Sequence, residues 1–212
     1  MTATRQVGIL IFDDVEVLDF AGPFEVFSVT AAGGGVAKTD ARPFDVSLIG
    51  IGPDLVRTVG GMQVLPRWTI AEAPHIDILV VPGGWGTRRL LEHAGLRTWL
   101  QRRAAEVELL TSVCTGSLLL AGAGLLDGRR ATTHWLALDT LRELRPAVTV
   151  VGDEHVVEEG SILTSAGISA GIDMALRVVA RLHGNAVARA TARQMEYHYP
   201  ESNARRVELT PN

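Results

Sequence analysis

The sequence predicts an α/β fold, one mostly parallel sheet with helices on both faces. Three observations predict it. Short apolar runs alternate with segments of helical spacing along nearly all of the 212 residues. Several runs, such as residues 7–12 and 78–81, are apolar without a polar residue at every second position, as strands covered on both faces must be. Three runs also stop abruptly in acidic, glycine-rich or small residues, at strand carboxyl ends where sites in such sheets form.

The elements follow in order. Residues 7–12 form the first strand, ended by Asp13-Asp14, and a helix begins near Asp19 and runs through Phe27. Gly33-Gly34-Gly35 closes that region as a loop. Residues 44–49 are the second strand, and Gly60-Gly61 marks a hairpin turn into a short strand at 63–65. The strand at 76–81 is stopped by Pro82-Gly83-Gly84. A helix at 96–105, a strand at 109–113, and helices at 117–123 and 135–144 come next. Short strands at 148–151, 156–158 and 161–164 follow, with Glu159-Gly160 turning between the last two. Two final helices, 170–182 and 186–195, are split at Gly184-Asn185. The sequence becomes a polar tail from about residue 200, and the whole chain is expected to be one domain.

Composition excludes several classes. Apolar residues make up 47% and charged residues 21%, with a formal net charge of -4 and both signs mixed along the chain. No basic excess suits a nucleic-acid surface. The longest apolar run, 118–126, falls far short of the roughly 20 residues that span a bilayer, so no membrane segment is expected. No signal peptide is read at the start. A single cysteine excludes an intramolecular disulfide and fits a reducing compartment, so the expected location is the cytoplasm.

Three strand ends carry the candidate chemistry. In Ser112-Val113-Cys114-Thr115-Gly116 an apolar strand runs straight into an apolar helix with small residues between, the spacing of a nucleophile elbow. Such a turn lifts the sulfur above the sheet and sets it at a helix start, which favours thiolate. A buried structural cysteine satisfies the same pattern. Pro82-Gly83-Gly84-Trp85 offers backbone amides for a developing negative charge, or a plain turn, and Trp85 either lines a pocket or caps the sheet edge. At the first strand end, Asp13, Asp14, Glu16 and Asp19 include one unusual carboxylate. Asp19 lies among Leu18, Phe20 and Ala21, where partial burial would raise its pKa towards neutrality and suit it to proton transfer.

The six histidines show no metal-ligand spacing, and neither a metal nor a cofactor is expected. His134 begins a helix near a strand end, where it serves either as a base beside Cys114 or as a satisfied structural histidine. Gly122-Ala123-Gly124 lies at a helix end rather than between strand and helix, so dinucleotide binding is not expected.

Taken together the segments resemble the ThiJ/PfpI superfamily, which includes class I glutamine amidotransferase domains. The residues that carry the resemblance are Phe12 with Leu18-Asp19-Phe20-Ala21-Gly22-Pro23, Val81-Pro82-Gly83-Gly84, Thr111-Ser112-Val113-Cys114-Thr115-Gly116-Ser117, Gly128 to Trp135, Gly167-Ile168-Ser169-Ala170-Gly171-Ile172-Asp173, and Gln194-Met195-Glu196-Tyr197. Within the superfamily they are similar to the isonitrile hydratases. The resemblance implies a flavodoxin-like three-layer sandwich and a homodimer acting on a small molecule without a cofactor. It implies Cys114 as nucleophile, Asp19 as the acid beside it, and Gly83 and Gly84 as amides facing the reacting group. Gly167 and Ile168 match the loop and helix start near the cysteine. Thr115 stands where peptidase-like relatives carry a histidine, which speaks against a Cys-His dyad. The implied reaction is hydration of an isonitrile to an N-substituted formamide.

The same segments are similar to the N-terminal ligand-sensing domain of AraC-type transcription regulators. A free-standing sensor is therefore the alternative, although no DNA-binding region is expected after Tyr197. Superfamily branches acting on amides or glyoxal-type aldehydes are a third possibility.

Overall fold

Apolar side chains on both faces of a strand need cover on both sides, and the observed architecture supplies it. The structure is a computed structural model that describes residues 4–34, 41–200 and 202–209. Strand β1 (Arg5–Ile11) leads into helix α1 (Val17–Val29) and then β2 (Phe44–Gly50). A hairpin of β3 (Val56–Arg57) and β4 (Gln63–Val64) stands apart from the main sheet, and β5 (Trp68–Thr69) returns to it. Then come β6 (Ile78–Val81), helices α2 (Thr87–Leu90) and α3 (Ala94–Ala104), β7 (Leu109–Val113) and α4 (Gly116–Gly122). Strand β8 (Arg130–Ala131), helix α5 (Leu138–Leu144) and strand β9 (Thr149–Val150) form a side excursion. Finally β10 (Val156–Glu159), β11 (Ile162–Ser165), α6 (Ala170–His183) and α7 (Asn185–Gln194) complete the chain.

The main sheet has seven strands in the order β10-β11-β7-β6-β1-β2-β5, parallel except for β10 against β11. Its middle is apolar and sealed: Ile9, Leu10, Ile11, Leu79, Val80 and Val81 have no exposed surface. Helices α1, α6 and α7 pack together against one face, and α2, α3, α4 and α5 form a second group over β6 and β7. This is the expected flavodoxin-like arrangement. After β1 the chain moves outward to β2 and β5, then crosses back to build β6, β7 and β11 on the other side. The loops after β1 and β6 therefore part in opposite directions and leave a crevice between them. No described helix is long and apolar enough to cross a membrane.

Element by element the structure follows the sequence with local differences. Helix α1 starts at Val17, so Asp19 sits in its first turn rather than at its start. The helix expected over 135–144 is a 3-10 turn, Trp135–Ala137, followed by α5. Of the glycine loop, Gly33 and Gly34 belong to a 3-10 turn, Ala32–Gly34, while Gly35 lies outside the described residues. Within the polar tail, residues 202–209 pack on the body, with Ala204 bridging to Glu154.

The passage from β7 into α4 depends on one close approach. A Cβ at Gly116 would overlap the carbonyl oxygen of Val81 at the end of β6. Gly116→Ala should therefore destabilise the fold by about 2 kcal/mol or more, lowering the thermal midpoint by at least about 4 °C. Gly52→Ala, whose added methyl meets nothing within 4 Å, is the control and should leave the midpoint almost unchanged.

Candidate active site

The elbow forms as the sequence predicts. Cys114 is buried and adopts φ 56, a left-handed conformation that non-glycine residues rarely take. Three groups hold it there. Its N–H donates to the Ala166 carbonyl at 3.0 Å, and its own carbonyl accepts from Thr133 Oγ1 at 2.9 Å and Ser117 Oγ at 3.2 Å. The backbone N–H groups of Thr115 and Ile168, with the Thr115 hydroxyl, face the sulfur and favour its thiolate. Burial nevertheless pushes the thiol well above the ordinary cysteine range, and the neighbouring Asp19 charge adds to the rise. The thiolate expected from the helix start alone is thus outweighed.

Asp19 has no exposed surface. Its Oδ2 accepts the Gly83 N–H at 2.8 Å, whereas Oδ1 is buried without a hydrogen-bond partner. Burial raises its pKa to about 8, Glu16 adds to the rise, and the Gly83 amide and the Cys114 thiol oppose it. Around neutral pH the centre therefore holds a neutral acid beside a neutral thiol.

Both glycine amides after β6 are engaged inside the protein. The Gly83 N–H holds Asp19, and the Gly84 N–H donates to Thr115 Oγ1 at 3.0 Å. They position two site groups rather than standing free for a ligand. A side chain at position 83 is impossible, since its Cβ would lie 2.5 Å from the Thr115 nitrogen and 3.0 Å from Asp19 Oδ2. Gly84 also bridges Val15, and the Glu16 N–H donates to the Gly83 carbonyl at 3.0 Å, so the loops after β1 and β6 are laced together. Thr87 Oγ1 donates to the Gly84 carbonyl at 2.8 Å.

Gly84, Cys114 and Thr115 border a cavity of about 220 Å³, and Asp19 lies behind its wall. Cys114 and Thr115 lie in it with Trp85, Leu136, Ala137 and Ile168 as apolar walls and Glu16, Arg88 and His134 as polar ones. Trp85 and Leu136 are largely exposed and form the outer part. The Arg88 guanidinium stacks 4.7 Å from the Trp85 ring centre and donates to the Gly84 carbonyl at 3.1 Å. His134 packs on Gly167, where a Cβ would overlap its ring. Its Nδ1 accepts from the Leu136 N–H at 3.3 Å, and burial with the charges of Arg205 and Arg88 keeps it below the ordinary imidazole range. It shares the cavity with Cys114 and forms no hydrogen bond to the thiol.

The structure thus gathers Asp19, Gly83, Gly84, Trp85, Cys114, Thr115, His134, Gly167 and Ile168 at one end of the sheet. Trp68 lies on edge strand β5, away from this end, and Trp135 turns its ring towards His134 at 5.9 Å between ring centres. Arg88, Thr87, Leu136 and Ala137 were not among the predicted site residues. The faint signal for Arg88 is its spacing three residues after Trp85. Among the described residues no group of three or more His, Cys, Asp or Glu is placed to hold a metal ion.

A flavodoxin-like sheet with a strained cysteine elbow facing a buried carboxyl defines a class of α/β proteins. The chain belongs to the DJ-1/PfpI family, whose profile matches residues 5–181. It is 38% identical over 194 residues to an isonitrile hydratase from Pseudomonas putida, covering 91% of this chain and 78% of that protein. It is 35% identical over 139 residues to the transcriptional regulator GbdR of Pseudomonas aeruginosa, but spans only 37% of that protein's length and matches over 65% of its own. Among solved structures, a ThiJ/PfpI family protein from Pseudomonas syringae superposes with a TM-score of 0.80 at 29% identity, over 95% of this chain and 79% of that one.

Asp19→Asn tests the electrostatics directly. Removing the carboxylate should lower the Cys114 pKa and speed its alkylation by iodoacetamide at about pH 9 several-fold. The folded pKa of Asp19, about 8, lies above its ordinary 3.8, so folding stability is lost as pH rises between these values. The variant lacks that loss. Its thermal midpoint should therefore gain on that of the parent from about pH 4 to about pH 8 and hold the gain above it.

Proposed function

We propose that this protein hydrates an isonitrile to an N-substituted formamide, with Cys114 as nucleophile and Asp19 as proton carrier. The observation that carries the proposal is the neutral Asp19 carboxyl, sealed against the Cys114 thiol with one oxygen unpartnered. An isonitrile carbon must receive a nucleophile and a proton at the same atom, and it loses no leaving group. A thiol and a neutral acid side by side meet that demand, and no base need be paired with the sulfur. The similarity to the isonitrile hydratase over most of the chain supports the same reading.

The steps balance as follows. Sulfur adds to the terminal carbon of R–N≡C as Asp19 delivers its proton to that carbon. The thiol proton passes to the carboxylate, leaving the thioimidate R–N=CH–S–Cys114. Asp19 then protonates the imine nitrogen and takes a proton from the water that adds to the carbon. When the C–S bond breaks, the sulfur regains a proton from the new hydroxyl through Asp19, and R–NH–CHO leaves. The Gly83 amide keeps the carboxyl in place throughout. The cavity of about 220 Å³ lies below the usual range of about 300–1,000 Å³ for drug-sized ligands, so R is small, and Trp85, Leu136 and Ile168 suit it to be apolar.

A second reading draws on the similarity to GbdR: a ligand-sensing role in which the same cavity binds without turnover. Turnover of a small aryl isonitrile, followed by formamide appearance, separates the two. Cys114→Ala should abolish it in folded protein. Because the proton donor is the acid form of Asp19, kcat/KM should fall as pH rises through about 8. Asp19→Asn should lower the rate about 100-fold or more and remove that limb of the profile. No turnover, in folded protein with an alkylatable Cys114, would overturn the hydratase reading in favour of ligand sensing.

A further inference from the structure

A second layer lies behind the elbow, and the chemistry above makes no use of it. Residues 202–209 run back over the body as a strap, beyond the segment that the family profile matches. The strap is fastened on both sides of Arg205. Ala204 bridges Glu154, the Arg205 N–H donates to the Asp153 carbonyl at 2.7 Å, and Arg206 reaches the buried carboxylate of Asp173 at 2.7 Å. Between these anchors the partly buried Arg205 side chain turns inward. Its Nη2 donates to Thr132 Oγ1 at 2.7 Å and to the Thr133 carbonyl at 3.0 Å, and its Nε donates to the Gly152 carbonyl. Every one of these acceptors is uncharged. Burial accordingly holds this guanidinium below its ordinary range. The Asp153 charge opposes that fall, but a partly buried cation whose direct acceptors are all uncharged is still a costly arrangement, so what it holds in place matters.

It holds the segment that holds the cysteine. Thr132 and Thr133 have no exposed surface. Thr133 Oγ1 donates to the Cys114 carbonyl at 2.9 Å, and the next residues, His134, Leu136 and Ala137, are cavity walls. The path from Arg205 to the elbow is therefore two hydrogen bonds long. The elbow needs such support, because a non-glycine residue at φ 56 persists only where its surroundings over-determine it.

We propose that Arg205 is a positioning residue. By fixing Thr133 it sets the orientation of the Cys114 elbow, and so the alignment of the sulfur with the Thr115 and Ile168 amides and the reactivity of the thiol. Only the turnover arm of the test rests on the hydratase reading.

The full chain contains one cysteine, so iodoacetamide alkylation reports Cys114 alone and needs no isonitrile. At a fixed pH of about 9, Arg205→Gln should slow alkylation at least about threefold, which corresponds to about half a pKa unit. Thr133→Val should slow it similarly, and the double variant should be no slower than the slower single one, since both break one path. Arg205→Lys keeps the charge but cannot reproduce the forked geometry, and it should stay within about twofold of the Gln variant. If the parent turns over an isonitrile, kcat should fall in Arg205→Gln with KM changed less than about twofold. Absence of turnover in the parent would count against the hydratase reading and leave the alkylation result to decide this one. Should Arg205→Gln not fold, Thr133→Ser against Thr133→Val decides: Ser keeps the hydroxyl and should match the parent, while Val should be slow. Unchanged or faster alkylation in Arg205→Gln, additive effects in the double variant, full rescue by Lys, or equal rates for Ser and Val would overturn the proposal.

Discussion

The hydrogen bond from the Gly83 amide to Asp19 Oδ2 is the constraint on which the rest of the site depends. It joins the first turn of α1 to the end of β6 across the crevice that the strand order opens. Without it a carboxyl with no exposed surface would lose its backbone partner, and burying such a group poorly paired is costly. The bond also dictates its neighbours. Position 83 must be glycine because Thr115 and Asp19 crowd it, and Gly116 must be glycine because the elbow presses on the Val81 carbonyl. Close contacts at the end of β6 thus determine the residue type at two positions beside the acid and the thiol.

The electrostatics follow from the same burial. A helix start and two amide N–H groups aimed at sulfur ordinarily yield a low-pKa thiol. Here desolvation and the adjacent carboxyl work the other way and prevail. The Asp19 charge disfavours the thiolate, and although the thiol's hydrogen bond opposes the rise at Asp19, burial prevails at both groups and favours a proton on each. A site of this kind is poorly suited to a mechanism that needs a standing thiolate. It suits one in which proton delivery and sulfur attack occur together, which is what addition to an isonitrile carbon requires. His134, held below the ordinary imidazole range by burial and accepting from the Leu136 N–H, shapes the cavity wall.

Much of this was legible in the sequence, for identifiable reasons. The strand at Leu109–Val113 was readable to the residue because apolar run, small residues and apolar helix follow without interruption. Asp19 stood out because a carboxylate between Leu18 and Phe20 is anomalous on a helix face. Strands β5 and β8 and helix α2, of two to four residues, are too short to show a period, so no pattern marks Thr87 and Arg88. The occupied state of the Gly83 and Gly84 amides was not legible either, since spacing shows that an amide is available but not what takes it. The strap is the clearest case. Arg205 sits in a polar stretch with no pattern, and its value comes only from Thr132, Thr133 and Gly152, which lie more than 50 residues away in the chain.

The distribution of strain completes the physical picture. Of four non-glycine residues with positive φ among those described, Cys114 and Ile168 both present groups at the sulfur, one the sulfur itself and the other its backbone amide. Each such conformation costs on the order of 1–3 kcal/mol. At Cys114 the cost is offset by bonds to Ala166, Thr133 and Ser117, so strain and its compensation occupy one small volume at the end of β7. The unpartnered oxygen of Asp19 lies at the same end of the sheet. A protein selected for stability alone would relax the elbow and replace the buried acid with an apolar side chain. That it keeps both, at one end of a sheet whose centre is sealed, means that stability from the apolar core is given up at the end of β7 to hold a buried acid beside a thiol.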